Sequence, residues 1–294
     1  MLNRVINIKG WLLPIYKKCA KVLYGYGIAN HFPINVLKKL VKSYLKSDFV
    51  EIDGHKMFLD SEDTLGLSTD GFYDPFETEI AKKEVGEGDV VLDIGANIGY
   101  YTLIFAKLVG KNGKVFAFEP DPDNYALLEK NVQINGYQNV ILIQKAVSNK
   151  TGKIRLYLSE DNKGDHRIYN SYENRISVEI EAVTLDDYFR DFNRKINFIK
   201  MDIQGAEPGA FQGMCNLLKK QQSIKIIAEF WPLGFQRFGI DCQEYLKLLV
   251  EYGFSLYQLN KRKKEIKPAN MTELLKIYTP EKDNFANLLF VKEK

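Results

Sequence analysis

Cysteine is scarce. Cys19, Cys215 and Cys242 lie far apart in the 294 residues, with no metal-ligand spacing, which excludes a zinc knuckle and a disulfide framework. Scattered thiols are expected reduced, as in a cytoplasmic protein. Histidine is no more frequent: His31, His55 and His166 are the full set, too dispersed for a histidine metal centre. No apolar run approaches the roughly 20 residues that span a bilayer. The stretch GWLLPIY near the start is followed by lysines, without the small-residue cleavage pattern of a leader. Repeats and low-complexity tracts are absent. The net charge of +3 is too small to argue for nucleic acid, and DNA is not expected as a partner.

Acid is missing altogether from residues 1–47, which carry nine bases from Arg4 to Lys46. Residues 1–50 read as a helical N-terminal extension. Packing on the domain is the plain expectation for it; peripheral contact with an anionic membrane surface is the alternative. A second basic run, KRKKEIK, covers 261–267. Residues 51–87 read as a small strand pair and helix that cap the core.

From residue 88 to the end, strand-like and helix-like segments alternate. VVLDIG, KVFAFEP, NVILIQKAV, NFIKMDIQG and SIKIIAEFWP read as strands, with amphipathic helical stretches between them. Asp241 is an N-cap candidate for DCQEYLKLLVEYG. KIRLYLS and VEIEAVTL alternate with period two and read as an inserted antiparallel pair around a long polar loop. The pattern predicts an α/β, doubly wound, mostly parallel sheet with helices on both faces. Ligands of such sheets sit at the carboxyl ends of the strands. The residues to watch are therefore Asp93, Glu119, Ala146, Asp202 and Glu229.

The loop after the first strand is Gly95-Ala-Asn97-Ile-Gly99. It is neither the dehydrogenase G-x-G-x-x-G nor the P-loop. Asp93 beside it would repel a pyrophosphate but attract a ligand with ammonium and sulfonium groups, which describes S-adenosylmethionine. Glu119, at the tip of the next strand, stands where an acid accepts from the two ribose hydroxyls of an adenosine.

DIGANIGYYT (93–102), VFAFEPDPDNYALLEKN (115–131), KAVSN (145–149), IKMDIQGAEPGAFQG (199–213) and IIAEFWP (226–232) together resemble the FkbM family of S-adenosylmethionine-dependent methyltransferases. The resemblance covers roughly 70–294. It implies a Rossmann-like class I methyltransferase sheet with an antiparallel last strand, and methyl transfer to a hydroxyl of a sugar, glycan or secondary metabolite. On that reading Asp93, Gly95, Asn97, Gly99, Glu119 and Ala146 hold the donor. One departure stands out: the family often has D-x-E-G-x-E, whereas this chain has Asp202-Ile-Gln204-Gly-Ala-Glu207.

A hydroxyl acceptor needs its proton removed, by a base or by a metal. Asp202 is one candidate, on the same side of its strand as Lys200. Asp202 with Glu229 offers two oxygen ligands of the kind Mg²⁺ takes, short of a full set. His166, in the polar loop, titrates near neutrality, with Arg167 able to grip an acidic group; a solvated loop is the plain alternative. Trp231 reads as an acceptor platform or as packing. Two other functions remain open. NYALLEKNVQING also resembles transfer-RNA methyltransferases, against which stand the low charge and the lack of an N-P-P-Y motif. Gln204 hints at a non-catalytic, cofactor-binding subunit in glycan assembly.

Overall fold

The computed structural model describes residues 49–160, 162–171 and 174–293. The basic N-terminal segment lies outside the described residues, and with it both expectations for it, packing on the domain and membrane contact. The chain divides into two compact units at Tyr73 and Asp74. In the smaller one, β1 (Phe49–Ile52) and β2 (His55–Phe58) pair antiparallel. Asp53 and Gly54 both take positive φ at the turn, as a two-residue hairpin requires. The one-turn helix α1 (Leu67–Asp70) follows.

The larger unit begins with α2 (Pro75–Glu84), β3 (Val90–Ile94), α3 (Tyr100–Val109), β4 (Lys114–Phe118), α4 (Pro122–Ile134) and β5 (Val140–Ile143). An insertion carries β6 (Ala146–Val147), β7 (Gly152–Tyr157) and β8 (Ser177–Val183). After α5 (Leu185–Tyr188) come β9 (Phe198–Met201), α6 (Glu207–Gln212), α7 (Cys215–Lys220), β10 (Ile224–Phe230) and α8 (Pro232–Phe238). The chain closes with α9 (Cys242–Glu251), β11 (Ser255–Asn260), β12 (Glu265–Pro268), α10 (Met271–Ile277) and β13 (Ala286–Lys292). The helix α2, read from the sequence with the cap at 51–87, belongs to this larger unit, to which Glu77 ties it through Lys200.

The main sheet has eight strands in the order β12-β11-β13-β10-β9-β3-β4-β5. Strands β10, β9, β3, β4 and β5 run parallel; β13 is antiparallel to both its neighbours, and β12 is antiparallel to β11. This is the class I methyltransferase arrangement, with β12 as an added edge strand that lay unread in the basic run KRKKEIK. All five residues of β3 are buried, as expected of a central parallel strand. Phe118, Met201, Phe211, Phe235 and Phe290 fill the core around it.

NVILIQKAV differs from its reading as one strand. The chain leaves the main sheet after Ile143, and Ala146–Val147 pairs with β8 in a second sheet of order β6-β8-β7. The apolar run hides the break because residues on both sides of it are buried. Asp241 does cap α9, accepting the N–H groups of Gln243 and Glu244.

Candidate active site

Strand order reverses between β3 and β9, and a cleft opens beside that point, where ligands of such sheets sit. Its floor is the turn after β3. Gly95 has φ +80°, and a Cβ there would stand 2.0 Å from the Asp202 carbonyl oxygen. Only glycine lets these two strand tips approach so closely. Asn97 also has positive φ, and its N–H donates to Glu119 Oε2 at 2.8 Å. Gly99 is the N-cap of α3. The helix thus starts at the glycine turn beside the strand tips.

Glu119 is buried on the cleft wall. Its Oε1 accepts the Asp121 N–H at 2.9 Å, so each oxygen keeps a further lone pair for a ligand. Burial pushes its carboxyl up to about 7, against the pull of those two backbone bonds. Asp93 lies beneath the floor instead of on the cleft wall. It is 2% exposed, accepts from the Thr102 hydroxyl, and is raised to about 6 by burial. Any attraction it exerts on a cation is therefore exerted through the loop.

Ala146 and Lys145 line the wall beyond β5; Lys145 is paired with Glu181 at 2.8 Å. The polar loop between β7 and β8 forms the roof through Lys163, Gly164, His166 and Ile168. Asn124, at the start of α4, donates through Nδ2 to the Lys163 carbonyl at 3.0 Å. Its buried Oδ1 has no partner, and the residue is part of the cleft lining. Sequence reading missed Asn124 and Lys163; the only local signal was the Asp121-Pro-Asp-Asn124 cap.

The Nδ1 of His166, expected as a candidate base, is already engaged in this arrangement. It accepts the Ser159 N–H at 3.0 Å, which fixes the neutral tautomer with the proton on Nε2, and burial lowers the pKa of the ring. Arg167 is likewise engaged, since its fork grips Asp165 at 2.8 and 3.0 Å. Arg175 holds the same carboxylate at 2.7 Å. The Arg167 guanidinium stacks 5.0 Å from the Trp231 ring, and the Trp231 N–H donates to Asp283. Trp231 is thus packed against the loop. The Tyr169 hydroxyl donates to the Gln204 carbonyl at 2.7 Å and fastens the loop to the turn after β9.

That turn carries Asp202, which lines the cleft with a side chain 30% exposed. Gln204 has φ +56° and Gly205 +93°. The wholly buried Glu207 accepts the N–H groups of Ile203 and Gly205, both at 2.9 Å, and so braces the turn; burial raises its carboxyl to about 7. Gly205 and Gly234 nearly touch: a Cβ on either would lie 2.7–2.9 Å from the other's Cα. The Gln204 amide donates to Asp202 Oδ1 at 2.8 Å.

Glu229, at the tip of β10, stands beside the cleft lining. Burial, and then the charges of Asp202 and Glu207, push its carboxyl well above the usual range. Among the described residues no group of three or more His, Cys, Asp or Glu side chains gathers to hold a metal ion. Nor is any helix among them long and apolar enough to cross a membrane.

The donor set fits S-adenosylmethionine. Glu119 offers acceptors for vicinal hydroxyls, the orphaned Asn124 Oδ1 calls for a hydroxyl or amine donor, and Asp202 supplies negative charge near the bare Gly95 floor. A family model for the methyltransferase FkbM domain matches residues 93–256. Hexuronic acid methyltransferase AglP of Haloferax volcanii is 31% identical over 172 residues, which are 58% of this chain and 64% of that one. Protein-L-isoaspartate O-methyltransferase 1 of Archaeoglobus fulgidus is 37% identical over 60 residues, 20% of this chain and 28% of that one. The chain therefore spans under two thirds of the length of these curated relatives. Among solved structures, methyltransferase FkbM from Methylobacillus flagellatus aligns with a TM-score of 0.42 at 14% identity, over 77% of this chain and 52% of that one. The chain belongs to the FkbM methyltransferase family, whose methyl donor is S-adenosylmethionine.

Proposed function

We propose that this protein methylates a hydroxyl oxygen of a saccharide, with Asp202 as the base that receives the hydroxyl proton. The observation that carries this reading is the setting of Asp202. It is part-exposed at the cleft, its Oδ1 is fixed by Gln204, and the acids near it are buried and shifted upward. When bound, S-adenosylmethionine supplies an electrophilic methyl group. Glu119 and Asn124 hold the adenosine end, and the loop from Lys163 to Ile168 excludes water over it. Asp202 then accepts the acceptor proton within the reach that general-base catalysis needs. Glu229 is buried, with its carboxyl pushed well above the usual range, and so is less suited than part-exposed Asp202 to take up that proton. The similarity to a hexuronic acid methyltransferase supports a sugar acceptor.

The test is incorporation of isotopically labelled methyl into a panel of methyl glycosides of neutral hexoses and hexuronic acids, with the methylated position read by NMR. A methyl ether on a ring hydroxyl is expected. A methyl ester on the uronate carboxyl, which needs no base, would overturn the hydroxyl assignment. Labelling of transfer RNA alone would replace the acceptor class.

A further inference from the structure

Lysine is an expensive residue to bury in the middle of a sheet, because desolvation disfavours its charge. Lys200 of β9 is nevertheless 3% exposed. Its Nζ lies 3.1 Å from Oε1 of the equally buried Glu77 on α2, and 3.8 Å from Asp202 Oδ2. The Tyr101 ring lies beneath the ammonium, its centroid 5.3 Å from Nζ. Glu77 is itself fully bonded: its Oε1 also accepts the Tyr101 hydroxyl at 3.2 Å, and its Oε2 accepts the Asn287 amide. Were only stability at stake, an apolar pair of similar volume would serve as well.

The two distances differ in kind. The ammonium shares a proton with Glu77 but stands beyond hydrogen-bond reach of Asp202. Asp202 therefore feels the positive charge without spending a lone pair on it.

Building on the general-base reading above, we infer that Lys200, anchored by Glu77, is a positioning residue that keeps Asp202 ionised and its lone pairs free for the acceptor. The carboxyls of Asp93 from β3, Glu207 from α6 and Glu229 from β10 face Asp202, and its charge helps to raise each of them. Burial raises the phenol of Tyr169, in the inserted loop, above its usual value. Lys261, in the turn after β11, is paired with Asp74 and acts on Glu229. Lys200 is the cation aligned with Asp202 on its own strand face.

The first test needs no acceptor. Infrared spectra of the full chain at pH 7 distinguish a carboxylic acid from a carboxylate. Asp202→Asn should remove a carboxylate band from the wild-type spectrum. Loss of an acid band instead would overturn the proposal. The double variant Glu77→Gln/Lys200→Met removes both buried charges together, and on acid titration its Asp202 acid band, assigned by its loss in Asp202→Asn, should appear about one pH unit higher than in the wild type. On the acceptor methylated by the wild type, the acidic limb of kcat in the double variant should move up by about one pH unit, since an adjacent cation lowers a carboxyl by about 1–3. KM for S-adenosylmethionine should stay within about twofold, and Lys200→Arg should restore most of the profile. An unchanged infrared titration and an unchanged pH profile would reduce the pair to a brace for α2. Should the panel show no hydroxyl methylation while the infrared result holds, the general-base reading fails and the electrostatic assignment stands.

Discussion

The two halves of the site are built on different principles. The donor half is mainly backbone: a glycine floor, a helix start, and one acid fixed by two neighbouring N–H groups. The acceptor half, as proposed, is mainly charged side chains, brought from α2, β9 and β10. The first needs a few residues in a short stretch. The second needs the whole tertiary structure. Substitutions should therefore separate binding from turnover.

The largest effect is expected at Asp202. Asp202→Asn should cut kcat by about 10²–10⁴, the usual worth of a general base, while leaving donor affinity within about threefold by calorimetry. Loss of donor binding instead would merge the two halves. Next comes Glu119→Gln, which removes charge-assisted bonds to the donor. At about 1.5–3 kcal/mol for such a bond, affinity should weaken by about 10–100-fold, with kcat at saturating donor nearly unchanged.

Donor binding should also depend on pH. The hydroxyls donate to ionised Glu119, whose carboxyl sits at about 7. Affinity should therefore rise by about tenfold between pH 6 and 8, and this rise should vanish in Glu119→Gln. Stability has the opposite sign. A carboxyl raised from the ordinary 4.5 to about 7 gives the folded state more bound protons than the unfolded chain in that window, so stability falls as pH climbs through it. Urea unfolding of the donor-free protein should show a loss larger by about 3 kcal/mol at most than in the variant, since Asp93, Glu207, Glu229 and His166 contribute alike to both. The smallest effect belongs to Gln204→Ala. It removes one neutral amide bond to Asp202, so kcat should fall by about fivefold.

The donor half was legible because its signals are local. Gly95, Asn97 and Glu119 fall at strand tips that apolar runs announce, and alternation along IKMD put Lys200 and Asp202 on one face before any contact was known. The acceptor half was not legible. The anchor of Lys200 is Glu77, on a helix assigned to a separate cap. Arg167 and His166 looked available until Asp165 and the Ser159 N–H were seen to occupy them. Such pairings between distant segments leave no periodicity. Apolar continuity misled in the other direction, joining β5 to β6 where Lys145 turns the chain into another sheet.

The near-touching of Gly205 and Gly234 limits how this enzyme can diversify. Neither position can acquire a side chain while the other backbone stays in place, and changing both at once worsens the collision. The turn that presents Asp202 is thus closed to stepwise evolutionary variation. New acceptor preferences must be written elsewhere, in the loop roofing the cleft or in the basic turn after β11, where chain length and side-chain size are free to change.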